Sequence, residues 1–217
     1  MASRARMRRP AGQRSIGMAS NVQIANSALT KLGASRITAL TDNVKAAREI
    51  NAIFELRRDY LLRTHNWSFA MTRANLPALS EAPAWGYTTL YQLPTDCLRV
   101  VQVNDTWVVP GLSDYTSGPD SEPYKITGRR IETDIGAPLK LRYIKRVTDP
   151  AQFDAAFVEV FASDLADQVC EALTQSNTKR EATRAVLRQS LLEAVRSNAI
   201  ELPPEAIPDD SWILSRL

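Results

Sequence analysis

The chain has 217 residues, 44% of them hydrophobic and 24% charged, with a net charge of +3. That is room for one domain, or one domain with an insertion, around a sizeable core. No apolar run reaches the roughly 18–20 residues a membrane helix needs, and two cysteines are too few for a disulfide scaffold.

Cys97 and Cys170 read as reduced, buried thiols of a reducing compartment. The charge is unevenly placed. Residues 1–17 hold Arg4, Arg6, Arg8, Arg9 and Arg14 and no acid, so the rest of the chain is at −2. Residues 1–19 lack apolar periodicity and read as a disordered basic arm. No apolar stretch follows the arginines, which argues against a secretory signal. Two readings are open for the arm: an electrostatic tether to nucleic acid through the five arginines, or a flexible, non-native extension. Met18-Ala19-Ser20 repeats Met1-Ala2-Ser3, as a start at Met18 would explain.

Ser20 and Gln23 form a capping-box pattern. Ile24, Ala25, Ala28, Leu29 and Leu32 follow at helical spacing, and Gly33 supplies a stop. The first helix is therefore expected over 21–32. Thr41-Asp42-Asn43 is a cluster of N-cap residues before a second helix over 43–64. Its apolar face is Ala46, Ile50, Ile53, Phe54 and Leu61. The opposite face carries Lys45, Arg48, Glu49, Glu55, Arg58 and Asp59, and is expected to face solvent or a neighbouring subunit. There Glu55 and Asp59 are expected to pair with Arg58 and Arg63.

Prolines then become frequent, with short β-prone runs between them. Strands are expected at 88–93, 98–103, 106–109, 124–127, 130–133 and 139–144. Gly128-Arg129 reads as a tight hairpin turn, and 110–123 as a mobile loop. Asp149-Pro150 marks a helix start. A stripe of Phe153, Phe157, Val160, Phe161, Leu165, Val169 and Leu173 carries that third helix to about 175. Thr178–Glu181 reads as another capping box. Leu187, Leu191, Ala194 and Val195 carry a fourth helix to about 198, antiparallel to the third.

The final segment, 200–217, holds Pro203, Pro204 and Pro208 and then Trp212, Ile213 and Leu214. Proline favours extended backbone. Burying that apolar triplet is worth roughly 5–8 kcal/mol before ordering costs. The segment reads as a stiff spacer ending in an anchor, docked either on a partner or on its own bundle. The expected fold is mainly α: a four-helix bundle from 20–75 and 150–199, a small β insertion over 76–149 forming a short antiparallel sheet, and an extended C-terminal tail over 200–217.

Catalytic signatures are sparse. His65 is the only histidine, there is no CxxC pair, and no glycine-rich phosphate loop occurs. No metal site and no cofactor are expected. A Ser–His–Asp unit would have to use His65, which reads instead as a structural, hydrogen-bonded residue. A glycosidase needs only two placed carboxylates, and no acid is singled out by its context.

Several strings occur in a telling order: Ala28-Leu29-Thr30-Lys31-Leu32-Gly33-Ala34, Ile37-Thr38-Ala39-Leu40-Thr41-Asp42, Arg58-Asp59-Tyr60-Leu61-Leu62-Arg63, His65-Asn66-Trp67-Ser68-Phe69-Ala70, Leu93-Pro94-Thr95-Asp96-Cys97-Leu98-Arg99-Val100 and Ser211-Trp212-Ile213. Together, from about residue 20 onward, they resemble the head-to-tail adaptors of short-tailed bacteriophages, the tail tubular protein A-like family. The arm before Met18 lies outside that pattern.

The resemblance implies a structural protein rather than an enzyme. Twelve copies would form a ring between the portal protein and the tail nozzle protein. The ring would extend the channel for packaged DNA, at the head–tail junction of a virion made in the host cytoplasm, with no membrane contact. Trp212, Ile213 and Leu214 would be the portal-docking anchors. A tail-associated peptidoglycan hydrolase and a DNA-binding module acting through the arginine arm are the alternative functions.

Overall fold

The computed structural model describes residues 19–104, 106–107 and 124–201. The expected loop at 110–123, the arm up to residue 18 and the tail beyond Glu201 lie outside the described residues. Of the strand expected at 106–109, only Thr106–Trp107 is described.

Helix α1 spans Asn21–Leu32. Ser20 Oγ accepts from the Gln23 N–H at 3.2 Å, and Gln23 Oε1 accepts from the Ser20 N–H at 2.8 Å. Gly33 closes the helix at φ 67°, a left-handed conformation that glycine adopts without Cβ strain. Asn26 then clamps the connection. Its amide donates to the Ile37 carbonyl at 2.9 Å and accepts from the Ile37 N–H at 2.8 Å.

Helix α2 spans Lys45–Thr64, starting two residues later than expected. Asp42 does not cap it. Its carboxylate instead accepts from the Thr38 and Ala39 N–H groups and the Thr38 hydroxyl, at 2.7–3.0 Å, and so builds the preceding turn. The Ala39 N–H first, and then Thr38, hold that carboxyl below its ordinary pKa.

Among the described residues, seven strands lie between α2 and the third helix: β1 Met71–Leu76, β2 Thr89–Gln92, β3 Cys97–Val103, β4 Thr106–Trp107, β5 Tyr124–Thr127, β6 Arg130–Thr133 and β7 Leu139–Lys145. They make two antiparallel sheets, one ordered β1-β7-β3-β4 and the other β2-β6-β5. The six-residue register Met71↔Ile144 to Leu76↔Leu139 joins β1 to β7, the strand farthest from it in the β region's sequence.

Two long helices complete the fold: α3 over Ala155–Thr174 and α4 over Asn177–Glu201. Asp149 caps only a short 3-10 turn at Pro150–Gln152. Asp154 caps α3 itself, accepting from the Ala156 N–H at 2.9 Å. Likewise the start of α4 is served by Ser176, whose Oγ accepts from the Lys179 N–H at 3.4 Å.

The mainly-α, four-helix-bundle expectation is therefore corrected: this is a mixed α/β fold. Helix α3 is the hub, packed against α1, α2 and α4. It is buried round most of its circumference, from Phe157 to Cys170, as a helix apolar on several sides must be. The sheets are no small insertion. One core joins the helices to Val101 and Ile144 of the four-stranded sheet. A second core lies between the sheets, with Val100, Val103, Leu141 and Tyr143 meeting Tyr91, Leu93 and Ile131. The four-stranded sheet is thus a middle layer, apolar on both faces, and the helices need it for their own burial.

Candidate functional site

His65 ends α2. It meets Trp67 edge-on at 5.0 Å between ring centroids, and its Nε2 lies 3.4 Å from the Asn198 side-chain nitrogen. Burial, and then the nearby Arg99 charge, push its pKa below the ordinary value. A neutral ring with an accepting Nε2 suits that contact. Both cysteines are buried. Burial chiefly raises the Cys97 thiol to about 11, so it is protonated at neutral pH and a poor nucleophile. Among the described residues, no three of His, Cys, Asp and Glu converge as metal ligands would. No helix there is long and apolar enough to cross a membrane.

The charged face of α2 differs from expectation. Arg58 is buried, and its partner is its neighbour Asp59, at 2.9 Å. Asp59 also pairs with Arg146 at 2.7 Å, tying α2 to the chain after β7. Arg57 forks onto buried Asp164 of α3, Nε to Oδ2 at 2.7 Å and Nη2 to Oδ1 at 2.5 Å. Such bidentate pairs fix geometry as well as charge. The Asp59–Arg146 and Arg57–Asp164 pairs are cross-braces between elements, while Lys45, Arg48 and Glu55 stay exposed as expected, and Leu56 and Tyr60, one turn apart, are exposed on the same helix.

A cleft of about 420 Å³ opens where α2 ends against the sheets. Three arginines line it: Arg63 from the last turn of α2, Arg99 from β3 and Arg129 from the β5–β6 turn. Gly128, at φ 61°, opens that two-residue turn with the positive φ that primed hairpin turns need. Among the described residues, no aspartate or glutamate lines the cleft. Each arginine donates to a neutral oxygen: Arg63 to the Leu98 carbonyl, Arg99 to the Asn66 side chain, Arg129 to the Pro94 carbonyl. Arg99 Nε is buried and has no partner. Burial, and then repulsion from Arg63, lower the Arg99 pKa. Between the cations the walls are apolar, with Leu93, Leu98, Val100 and a partly exposed Ile126. This is a cationic surface with apolar walls.

Two further surfaces carry large exposed apolar side chains. On α2 these are Leu56, 72% exposed, and Tyr60. On α4 they are Val186, Leu192 at 60% and Ile200 at 85%. Helix α4 buries only a narrow, partly polar seam of Thr183, Ser190, Ala194 and Asn198, so most of its circumference is open. Trp85, 81% exposed, marks a third spot beside the three-stranded sheet, with Lys125 Nζ 5.8 Å from its ring.

The residues the sequence singled out for docking, Trp212, Ile213 and Leu214, lie outside the described residues. So do Arg4, Arg6, Arg8, Arg9 and Arg14. The cleft arginines had no joint signal in the sequence, because three unrelated elements bring them together. Leu56 did have one: it is an aliphatic residue between Glu55 and Arg57 on a face read as charged. No protein-family model matches this chain, and no curated protein matches it.

Proposed function

We propose that the chain is a structural adaptor that assembles into a ring joining a phage portal to the tail nozzle and extending the DNA channel. The observation that carries this reading is the pair of unlike exposed apolar surfaces, Leu56 and Tyr60 on α2 and Val186, Leu192 and Ile200 on α4. Both helices pack on α3. A subunit with two different sticky faces makes head-to-tail contacts, which close into a ring when the rotation per step allows. The ordered strings from Ala28 to Ile213 support the same reading, with twelve copies as the family pattern. A body at −2 presents DNA with a wall it does not adhere to.

Helix α4 runs to Glu201, so the tail expected from residue 200 starts at 202, and in this reading residues 202–217 reach the portal, with Trp212, Ile213 and Leu214 as anchors. Many weak tails on one ring reinforce each other through effective concentration. Electron microscopy of the chain mixed with its portal tests the proposal. The expected image is a ring beneath the portal, lost when residues 202–217 are deleted. Normal joining by the shortened chain would remove the tail assignment, and absence of any ring with the intact chain would remove the adaptor reading.

A further inference from the structure

Three cations share one concave site with little around them to neutralise their charge. Arg63 and Arg129 are exposed at its mouth, while Arg99 is half-buried deeper in the cleft. Arg63 Nη1, Arg99 Nη2 and Arg129 Nη2 each donate to one uncharged oxygen. A guanidinium has further N–H groups to give, and the buried Arg99 Nε has no partner. A buried donor without a partner is destabilising, so the site is better satisfied with an acceptor in it. Cys97 also lines the cleft, and its thiol, pushed up to about 11 mainly by burial, adds no negative charge at neutral pH. Asp96, its neighbour in the chain, is outside the lining, and its carboxylate accepts from the Tyr143 hydroxyl at 3.2 Å. The described lining therefore carries three positive charges and no negative one.

That arrangement narrows the ligand. A carboxylate holds its oxygens in one plane and is matched by one guanidinium fork, which would leave the other arginines unanswered. A phosphate monoester presents three strong acceptor oxygens and about −1.5 to −2 charge at neutral pH. It suits forks that arrive from a helix end, a strand and a hairpin turn. At about 420 Å³ the cleft is also far larger than a bare phosphate, which takes the room of a few waters of about 30 Å³ each. Leu93, Leu98, Val100 and Ile126 line the remaining space. Clefts of roughly 300–1,000 Å³ with apolar walls and a few placed polar groups are the kind that small molecules occupy.

We propose that the cleft binds a small phosphate monoester whose organic group is apolar. Arg99 meets the phosphoryl oxygens from within, its Nε–H donating to one of them, and Arg63 and Arg129 meet the others from the mouth. The organic group lies against Leu93, Leu98, Val100 and Ile126. The site belongs to a single chain and does not depend on ring assembly.

Calorimetric titration of the isolated full-length chain tests this with three probes: phenyl phosphate, benzoate and inorganic phosphate. Phenyl phosphate is expected to bind at one site per chain. It is expected to bind about tenfold more tightly than benzoate, which has the same ring and a planar anion, and about tenfold more tightly than inorganic phosphate, which has no ring. Arg129→Ala alters an exposed side chain and keeps the backbone carbonyl that accepts from the Leu93 N–H. The fold is therefore expected to stay intact and phenyl phosphate binding to weaken about tenfold. Arg99→Gln is expected to weaken it at least as much, and if that variant does not fold, Arg129→Ala decides alone. Equal affinity for phenyl phosphate and either control would overturn the proposal, as would the absence of saturable binding. Binding unaffected by Arg129→Ala would overturn the site. So would displacement of phenyl phosphate by a duplex oligonucleotide lacking terminal phosphates, because the occupant would then be a nucleic-acid backbone.

Discussion

His65 is the only histidine of the chain, which makes its titration readable. Its folded pKa lies below the ordinary 6.5, through burial first and the Arg99 charge second. The unfolded chain therefore binds the proton more readily than the folded one, and stability falls as pH drops through 6.5 toward the folded value. Urea midpoints measured at several pH values are expected to decline over that window in the wild type and to decline less in His65→Gln. An equal slope in both would mean that the ring is as easily protonated folded as unfolded. The spacing of residues placed His65 near a helix end beside Trp67. It said nothing of Asn198, which is 133 positions away and arrives only because α4 packs across that loop. Arg57 and Asp164 show the same limit. Each looks like a surface charge in its own helix, and only the crossing of α2 over α3 makes them a buried pair.

Among the elements, α3 carries the greatest structural weight. Phe157 meets Trp67, Phe69, Phe153 and Phe161, with centroids 5.0–6.0 Å apart. It is fully buried at the junction of the helices with the middle sheet. Phe157→Ala is expected to cost about 3–5 kcal/mol, the sum of lost transfer energy and a cavity the surrounding rings cannot fill. Urea denaturation checks this, and a loss below about 1 kcal/mol would show that α3 is not the keystone. Helices were the most legible elements. Capping and stop residues act within one turn, so α1 falls where Ser20 and Gly33 place it. The misplaced starts of α2 and α3 come from competition. Asp42 and Asp149 each had a nearer turn to satisfy, and took it. Strand β1 escaped notice because Met71-Thr72-Arg73-Ala74-Asn75-Leu76 lacks clean alternation. Its pairing with β7 is what makes it a strand. In β3 the register shifts between Cys97 and Arg99 and between Val100 and Gln102 break the period-two pattern, and the alternation cannot be read along the chain.

For the assembled particle, the two-face reading makes a mixing prediction. Leu56 and Leu192 are both well exposed, so Leu56→Asp and Leu192→Asp are expected to leave the fold within about 0.5 kcal/mol of the wild type. Each is expected to block ring growth alone, by burying a charge at one contact. Mixed together they still share one intact pair of faces, so light scattering is expected to show two-chain complexes and nothing larger. Rings formed by either variant alone would sink the assignment of that face. Helix positions, the sparse catalytic inventory and the split between a basic arm and a slightly acidic body were all legible in the residues, because they depend on neighbours within a few positions or on composition. The three-layer architecture was not. Whether a strand lies on a surface or in the middle of a molecule depends on what covers its second face, and here that cover is the helical core, which meets the sheet at Val101 and Ile144 and brings α2 against β3. The arginine cleft has the same origin: like charges on α2, β3 and a hairpin turn become one site only when a middle sheet, held by helices on one side and strands on the other, brings them to a common edge.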